Sequence, residues 1–356
     1  MFVDQQPEAR PAASLTDRVI ADVGATMAAG AVVLGDRLGL YRALATGPLS
    51  PVELARRTRT APRYVEEWLR GQAAAGYVEY DPTSGEYWMT PEQAKVFTDP
   101  EAVLNAPAAF QFVLGALRAQ ARLEAAFRTG EGIGWSEHDA AVLDAWTRVQ
   151  RSLYGRHLLT RWLPALRGVE AKLRRGALVA EIACGPAVAT TMLARAFPAS
   201  RFAAFDHRPE AVAAARGEVA SAGLADRVRV DQSWPHAFGG GPYDLVTTFD
   251  ALHDQGDPVA VARHVAERLA PDGTWMIVEP FAGTTVSENL TPVGRLYYAI
   301  SVFLCVPSAL ADEGGHSLGA QAGEGPIRRI AQAAGFGHVR RVAHTDLSAV
   351  YEVRHE

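Results

Sequence analysis

The stretch that decides the fold is ALVAEIACGPAVATTMLARAFPASRFAAFD, Ala177–Asp206. Leu178–Ala183 reads as a buried strand, Cys184-Gly185-Pro186 as a turn, Ala187–Phe197 as a helix on the 3.6-residue period, and Arg201–Phe205 as a second strand closed by Asp206. Strand, helix and strand in this order make a βαβ unit, which requires a parallel sheet. Ligands of such sheets lie beyond the carboxyl ends of the strands. There a turn of small residues lets backbone approach, and an acid after the second strand can bond ribose hydroxyls. Asp206, about 20 residues past the turn, is placed for that role. The unit therefore reads as a nucleotide site.

Outward from this unit the alternation continues. Pro209–Ala222 reads as a helix, Val228–Val230 and Tyr243–Thr248 as strands, Pro258–Leu269 as a helix and Thr274–Val278 as a fifth strand. A helix at Pro326–Ala334 and strands at His338–Val342 and Ala349–Arg354 complete the pattern. Residues 177–356 thus form a doubly wound α/β sheet with an antiparallel hairpin at its edge.

Toward the N-terminus the pattern changes. Residues 1–14 are expected to be disordered. Apolar residues from Leu15 to Ala45 recur at helical spacing, with breaks expected near Gly30 and Gly39, and a stretch this apolar points to a dimer partner. Ser50 and Pro51 start a helix with Glu53 three residues on. A second helix (Pro62–Ala75) and two short strands around the turn at 82–85 follow. Helix, turn, helix and β-hairpin make a winged helix over residues 15–100, with residues 101–176 as a helical connector. The charges on the second helix, Arg63, Glu66, Glu67 and Arg70, sum to zero, which argues against DNA binding; Arg56, Arg57 and Arg59 keep a regulator reading open.

The 356 residues suit two domains. A hydrophobic share of 48%, a charged share of 21% and a net charge of −5 fit a globular protein with no polyanionic partner. Two cysteines, Cys184 and Cys305, supply no disulfide framework and fit a reducing cytoplasm. No signal peptide is expected, and the apolar span Tyr297–Ala311 reads as too short to cross a membrane.

The chemistry-bearing residues cluster at strand ends. His253, in Phe249-Asp250-Ala251-Leu252-His253-Asp254, follows the fourth strand and is placed beside the nucleotide crevice, where an imidazole can take a proton. Glu279 ends the fifth strand and can orient His253; Glu324 precedes a helix and reads equally well as a first-turn charge. Asp231, Gln232 and Ser233 follow the third strand, and spacing does not choose among them for a base contact.

The chain from about residue 15 resembles the bacterial methyltransferases with an N-terminal winged helix, relatives of the plant and antibiotic-pathway O-methyltransferases. The residues that carry the resemblance are Phe249–Asp254, Leu269-Ala270-Pro271-Asp272-Gly273-Thr274, Glu279-Pro280, Asn289–Tyr298 and Leu318–Glu324. The resemblance implies S-adenosylmethionine as cofactor, held by Glu181, Ala183, Gly185, Asp206, His207, Gln232, Ser233, Phe249 and Asp250. It implies a phenolic or polyketide-like acceptor, with His253 as base and Asp254, Glu279 and Glu324 beside it, and a homodimer that touches neither nucleic acid nor membrane. The turn departs from the family fingerprint D/E-x-G-x-G-x-G, because Ala183 and Ala187 stand where glycines are usual; this favours, as an alternative, a non-methylating enzyme on the same fold. A related branch methylates α-keto acids with a divalent metal held by the His-Asp pair and a second histidine. The matching segment here has none, so no metal ligands are assigned, and Cys305, the only substitute, reads as a buried apolar residue.

Overall fold

The computed structural model describes residues 14–100, 102 and 104–356. Of the terminus expected to be disordered, residues 1–13 lie outside the described residues. Ser14 is ordered as the cap of the first helix: its Oγ accepts from the Asp17 N–H at 3.1 Å, and the Asp17 carboxylate accepts from the Ser14 N–H at 3.1 Å. The chain divides into two compact units, Met1–Asp99 and Pro100–Glu356.

In the first unit the helix Leu15–Arg37 runs through Gly30 without a break, since one interior glycine costs only about 1 kcal/mol against a capped helix of this length. The chain turns at Gly39, whose φ of +72° needs no Cβ, into Leu40–Leu44. Helices Pro51–Thr58 and Pro62–Ala74 follow, then the antiparallel pair β1 (Glu79–Asp81) and β2 (Glu86–Trp88). Leu40, Leu44, Leu54, Val65, Leu69 and Tyr87 form the core. Charges on the second helix cancel pairwise, Arg63 to Glu67 at 2.6 Å and Arg70 to Glu66 at 2.5 Å, while Arg56 and Arg57 share Glu53. Leu15, Val19, Ile20, Val23 and Met27 stay exposed along the first helix.

The second unit is built on seven strands: β3 (Leu178–Ile182), β4 (Arg201–Asp206), β5 (Val228–Gln232), β6 (Tyr243–Phe249), β7 (Leu269–Pro280), β8 (His338–His344) and β9 (Ser348–Arg354). Their order is β5-β4-β3-β6-β7-β9-β8, the first five parallel and β9 antiparallel to both β7 and β8. The two-residue alternation sends Val179 to one face and Ala180 and Ile182 to the other, and each face carries its own core. Helices Pro258–Arg268 and Glu324–Ala333 cover one face. Residues 101–176, set apart above as a connector, join this unit instead: Leu153, Tyr154, Trp162 and Leu173 pack in the same core as Val179 and Phe249. An apolar sheet face must be covered, and these residues cover it.

The apolar span near Tyr297 is also longer than expected. One helical run of 20 residues covers Pro292–Ala311, with a π turn at Ser301–Cys305. It and Leu15–Arg37 are long and apolar enough to cross a membrane by length and composition alone. Leu304 of the later helix is buried against Phe112, Ala116, Val142 and Ala145.

Candidate active site

At the carboxyl end of β3 the chain turns through Ala183 (φ +52°), Gly185 (φ +53°) and Ala187 (φ +58°). Two alanines thus hold the left-handed conformation that costs an L-residue about 1 kcal/mol or more. The turn is tied down by the Cys184 N–H to the Phe205 carbonyl at 2.9 Å and the Gly185 N–H to Asp206 Oδ2 at 2.9 Å. Because Ala187 has no side chain to cap helix Val188–Ala196, Glu181 does so from inside β3. Its carboxylate accepts from the Thr190 N–H at 2.8 Å and from the Thr190 hydroxyl. Burial pushes the Glu181 carboxyl up to about 7, against the opposing Thr190 bonds.

A cavity of about 450 Å³ opens over this turn. Ala183, Gly185, Asp206, His207, Phe249 and Asp250 line it. Glu181 lies behind it. Gln232 and Ser233 flank rather than line it, Gln232 donating to the His207 carbonyl at 3.0 Å. His207 stacks on Trp234 at 4.0 Å. Asp206 is fully buried and closed on by Arg208, whose Nε and Nη2 lie 3.0 and 3.1 Å from its two oxygens. Although burial opposes the charge, Arg208 holds the Asp206 carboxyl below its usual range.

A second, smaller cavity of about 140 Å³ adjoins the first. Its walls are apolar: Phe112, Val113, Trp146, Leu153, Leu296, Ile300 and Leu304 contribute, with His253, Asp254 and Cys305 among the few polar groups. Trp135, Trp146, Asp250 and Asp254 line both cavities and so mark their junction. Trp135 is held by a loop that passes very close to the long apolar helix: a Cβ on Gly132 would lie 2.0 Å from the Ala311 nitrogen, and the Ile133 N–H donates to the Pro307 carbonyl at 2.9 Å. Its indole N–H then donates to Asp254 Oδ2 at 2.9 Å.

His253 sits in a buried 3₁₀ turn, Leu252–Asp254, after β6. Its Nδ1 meets Glu279 Oε2, and its Nε2 lies 3.1 Å from Asp254 Oδ1. Glu279 also accepts from the Leu252 N–H at 2.9 Å, which fixes the turn to β7. Burial disfavours the imidazolium, but the two carboxylates outweigh it and raise the His253 pKa well above its ordinary value. Glu324 is not brought here. It sits in the first turn of its helix, bonded to Arg328 at 2.6 Å with Arg341 at 3.7 Å, and lines neither cavity. Cys305, read as an apolar residue, faces His253 and Asp254: one donor atom from each of the three lies within 4.8 Å of the others. Burial pushes its thiol up to about 12.

Sequence reasoning missed Trp135, Arg208, Tyr154 and Tyr297. Arg208, two residues past Asp206, was the one within reach of the motif. The others come from helices and loops whose apolar pattern reads only as core.

Comparison with known proteins agrees with this architecture. Residues 180–275 match the family described as a methyltransferase domain, and residues 25–99 match an Rv2258c-like winged HTH domain. No curated protein matches the sequence. Among solved structures, the human N-acetylserotonin methyltransferase in complex with SAM is 14% identical with a TM-score of 0.73, over 97% of this chain and 99% of that one. The mitomycin 7-O-methyltransferase is 18% identical with a TM-score of 0.69, over 95% and 98% of the two chains. An O-methyltransferase from neocarzinostatin biosynthesis, in complex with S-adenosyl-L-homocysteine and 1,4-dihydroxy-2-naphthoic acid, is 18% identical with a TM-score of 0.61, over 96% and 100%. The chain therefore joins an N-terminal winged-helix domain to a methyltransferase domain of the class I fold.

Proposed function

We propose that this protein transfers the methyl group of S-adenosylmethionine to an oxygen of a small, largely apolar acceptor, in the cytoplasm. The observation that carries the reading is the pair of adjoining cavities that meet at Asp250, Asp254, Trp135 and Trp146. The larger lies over the β3 turn and is rich in carboxylates, Asp206, Glu210, Asp250 and Asp254 among them, which suits a cofactor carrying a sulfonium and an amine. Gly185 offers backbone with open space where a Cβ would stand, and Asp206 offers oxygens to a ribose once Arg208 moves aside. When bound, the cofactor supplies an activated methyl on a good leaving group. The protein's part is to hold the acceptor in the apolar cavity, exclude water and manage its proton. The complexes of the human and neocarzinostatin-pathway enzymes, named with SAM and with a dihydroxynaphthoic acid, support the pairing of cofactor and aromatic acceptor.

The test is calorimetric titration with S-adenosylmethionine and S-adenosylhomocysteine, followed by transfer of a labelled methyl to a panel of phenols. Micromolar binding and label in one phenol are expected. Silence up to millimolar cofactor would overturn the reading and return the fold to the non-methylating alternative. The exposed apolar stripe Leu15–Met27 supports a homodimer, which light scattering of the full chain would check.

A second reading rests on Cys305. His253, Asp254 and Cys305 are a donor set that fits a divalent transition metal with an open position, and Glu279 on His253 Nδ1 is the outer partner such a ligand histidine needs. A metal there would acidify the carbon of an α-keto acid for C-methylation. Stoichiometric metal in protein purified without chelators would favour it, and metal-free protein that methylates a phenol would exclude it.

A further inference from the structure

The smaller cavity has a one-sided hydrogen-bonding inventory, because its donors are spent inside the protein. The Tyr297 hydroxyl donates to the Leu347 carbonyl at 2.6 Å, the Ser152 hydroxyl to the Ala102 carbonyl, and the Trp135 indole to Asp254 Oδ2 at 2.9 Å. Asn105 accepts the Ala108 N–H on Oδ1 at 3.0 Å as the cap of helix Ala106–Leu117, and its amide is neutral. Among the described residues no arginine or lysine stands on the wall. Arg148 donates to Asn105 Oδ1 at 3.5 Å and to Gln111 Oε1 at 3.3 Å from outside it. In the larger cavity Arg208 is matched by Asp206, and Arg151 by Glu218 at 2.5 Å.

What the smaller cavity leaves open is hydrogen-bond acceptors and aromatic faces. At the junction Asp250 Oδ2 takes the Tyr154 hydroxyl at 3.1 Å, while Asp254 Oδ1 is buried and accepts no hydrogen bond. Away from the junction Phe112 and Trp146 meet with ring centroids 5.2 Å apart, and Leu296 and Ile300 continue the apolar wall. His253 has Glu279 at Nδ1 and Asp254 3.1 Å from Nε2, two acids to one imidazole. A ligand therefore finds partners for an O–H at one end and no unmatched cation for a negative charge. A carboxylate is strongly disfavoured in such a place, and one with an ordinary pKa near 4 is neutral in only about one molecule in 1000 at pH 7.

Resting on the methyl-transfer reading above, we propose that the acceptor is an uncharged aromatic alcohol, a phenol or naphthol without a carboxylate, and that the cavity rejects the carboxylic-acid analogue of an acceptor it takes. The hydroxyl enters at the junction, toward Asp250 and Asp254. The ring system lies against Phe112, Trp146, Leu296 and Ile300.

The experiment measures transfer of the labelled methyl to a panel of uncharged phenols and to a matched pair, 6-hydroxy-2-naphthamide and 6-hydroxy-2-naphthoic acid. Calorimetry reads the binding of each to the full chain saturated with S-adenosylhomocysteine. The amide keeps the shape of the acid without its charge, and the substituent lies far from the hydroxyl in both. The acid is expected to fall about 100-fold or more below the amide in kcat/KM. Equal turnover of acid and amide overturns the proposal and leaves methyl transfer standing. Turnover of the acid once a divalent metal is added also overturns it, in favour of the metal-assisted reading. Leu296 is 42% exposed where it lines the cavity, so Leu296→Arg can place a cation at the wall while its stem stays on apolar surface. That variant is expected to raise kcat/KM for the acid about tenfold, and Leu296→Gln to leave it low. Equal gains from both variants would show that charge does not set the selection, and would refute the proposal. Failure of every uncharged phenol to bind or react refutes it as well, and cofactor binding measured alone then decides whether the methyl-transfer reading falls with it.

Discussion

The two cavities are made of different materials. The larger is shaped by backbone: a turn with three left-handed residues, an acid at the end of β4, and charges at the open ends of parallel strands. The smaller is shaped by side-chain bulk, with aromatic and aliphatic residues from three separate helical stretches closing around a few polar groups. Backbone and charge recognise a ligand common to many chemistries, while an apolar wall selects by volume. Change in the first should therefore alter the stability of the fold as well as binding, and change in the second should alter only selectivity.

The largest effect is expected at Asp206. Asp206→Ala removes the proposed ribose partner and leaves Arg208 without its buried counter-charge, so cofactor binding should vanish in calorimetry and stability should fall by about 3–5 kcal/mol in urea. An Asp206→Ala protein that still binds cofactor normally would break the contrast, because the larger cavity would then not depend on this acid.

Glu181 follows. Its carboxyl is raised from 4.5 to about 7 in the folded protein, so between those values the folded state binds more protons than the unfolded one. The stability it contributes therefore falls as pH rises through that window, by up to about 3 kcal/mol. Glu181→Gln keeps an acceptor for the Thr190 N–H and removes the titration. Its melting temperature should match wild type near pH 4 and exceed it at pH 8. Parallel melting curves at the two pH values would show that Glu181 does not titrate in this range.

In the smaller cavity Ile300→Phe adds bulk to an apolar wall. Acceptor KM should rise about tenfold with S-adenosylhomocysteine affinity unchanged. A matching loss of cofactor affinity would mean that the two cavities are not separable. The smallest effect belongs to Ala183→Gly, which relieves a left-handed alanine and should raise stability by up to about 1 kcal/mol. Destabilisation by this change would show that the turn is held by contacts of the alanine methyl instead.

These contrasts also explain what could be read in advance. The larger cavity was legible because one continuous stretch, Ala177–Asp206, contains its turn and its acid, and the residues after β6 follow by strand order. Ala183 and Ala187 were legible as departures from glycine, and both hold positive φ. The cap that Glu181 provides was not legible, because pattern alone does not show that Ala187 leaves the next helix without a side-chain cap. Glu324 was carried over with the resemblance, but Arg328, one helical turn later, takes its charge.

The sequence by itself determined the parallel sheet, the winged helix and the strand ends at which chemistry must lie, because local periodicity and turn residues act over a few neighbours. Only the tertiary structure decided that Trp135, Tyr154 and Cys305 meet Asp250, His253 and Asp254. They reach the site from segments about 50 to 120 residues away in the chain, and no local pattern encodes contacts at that range.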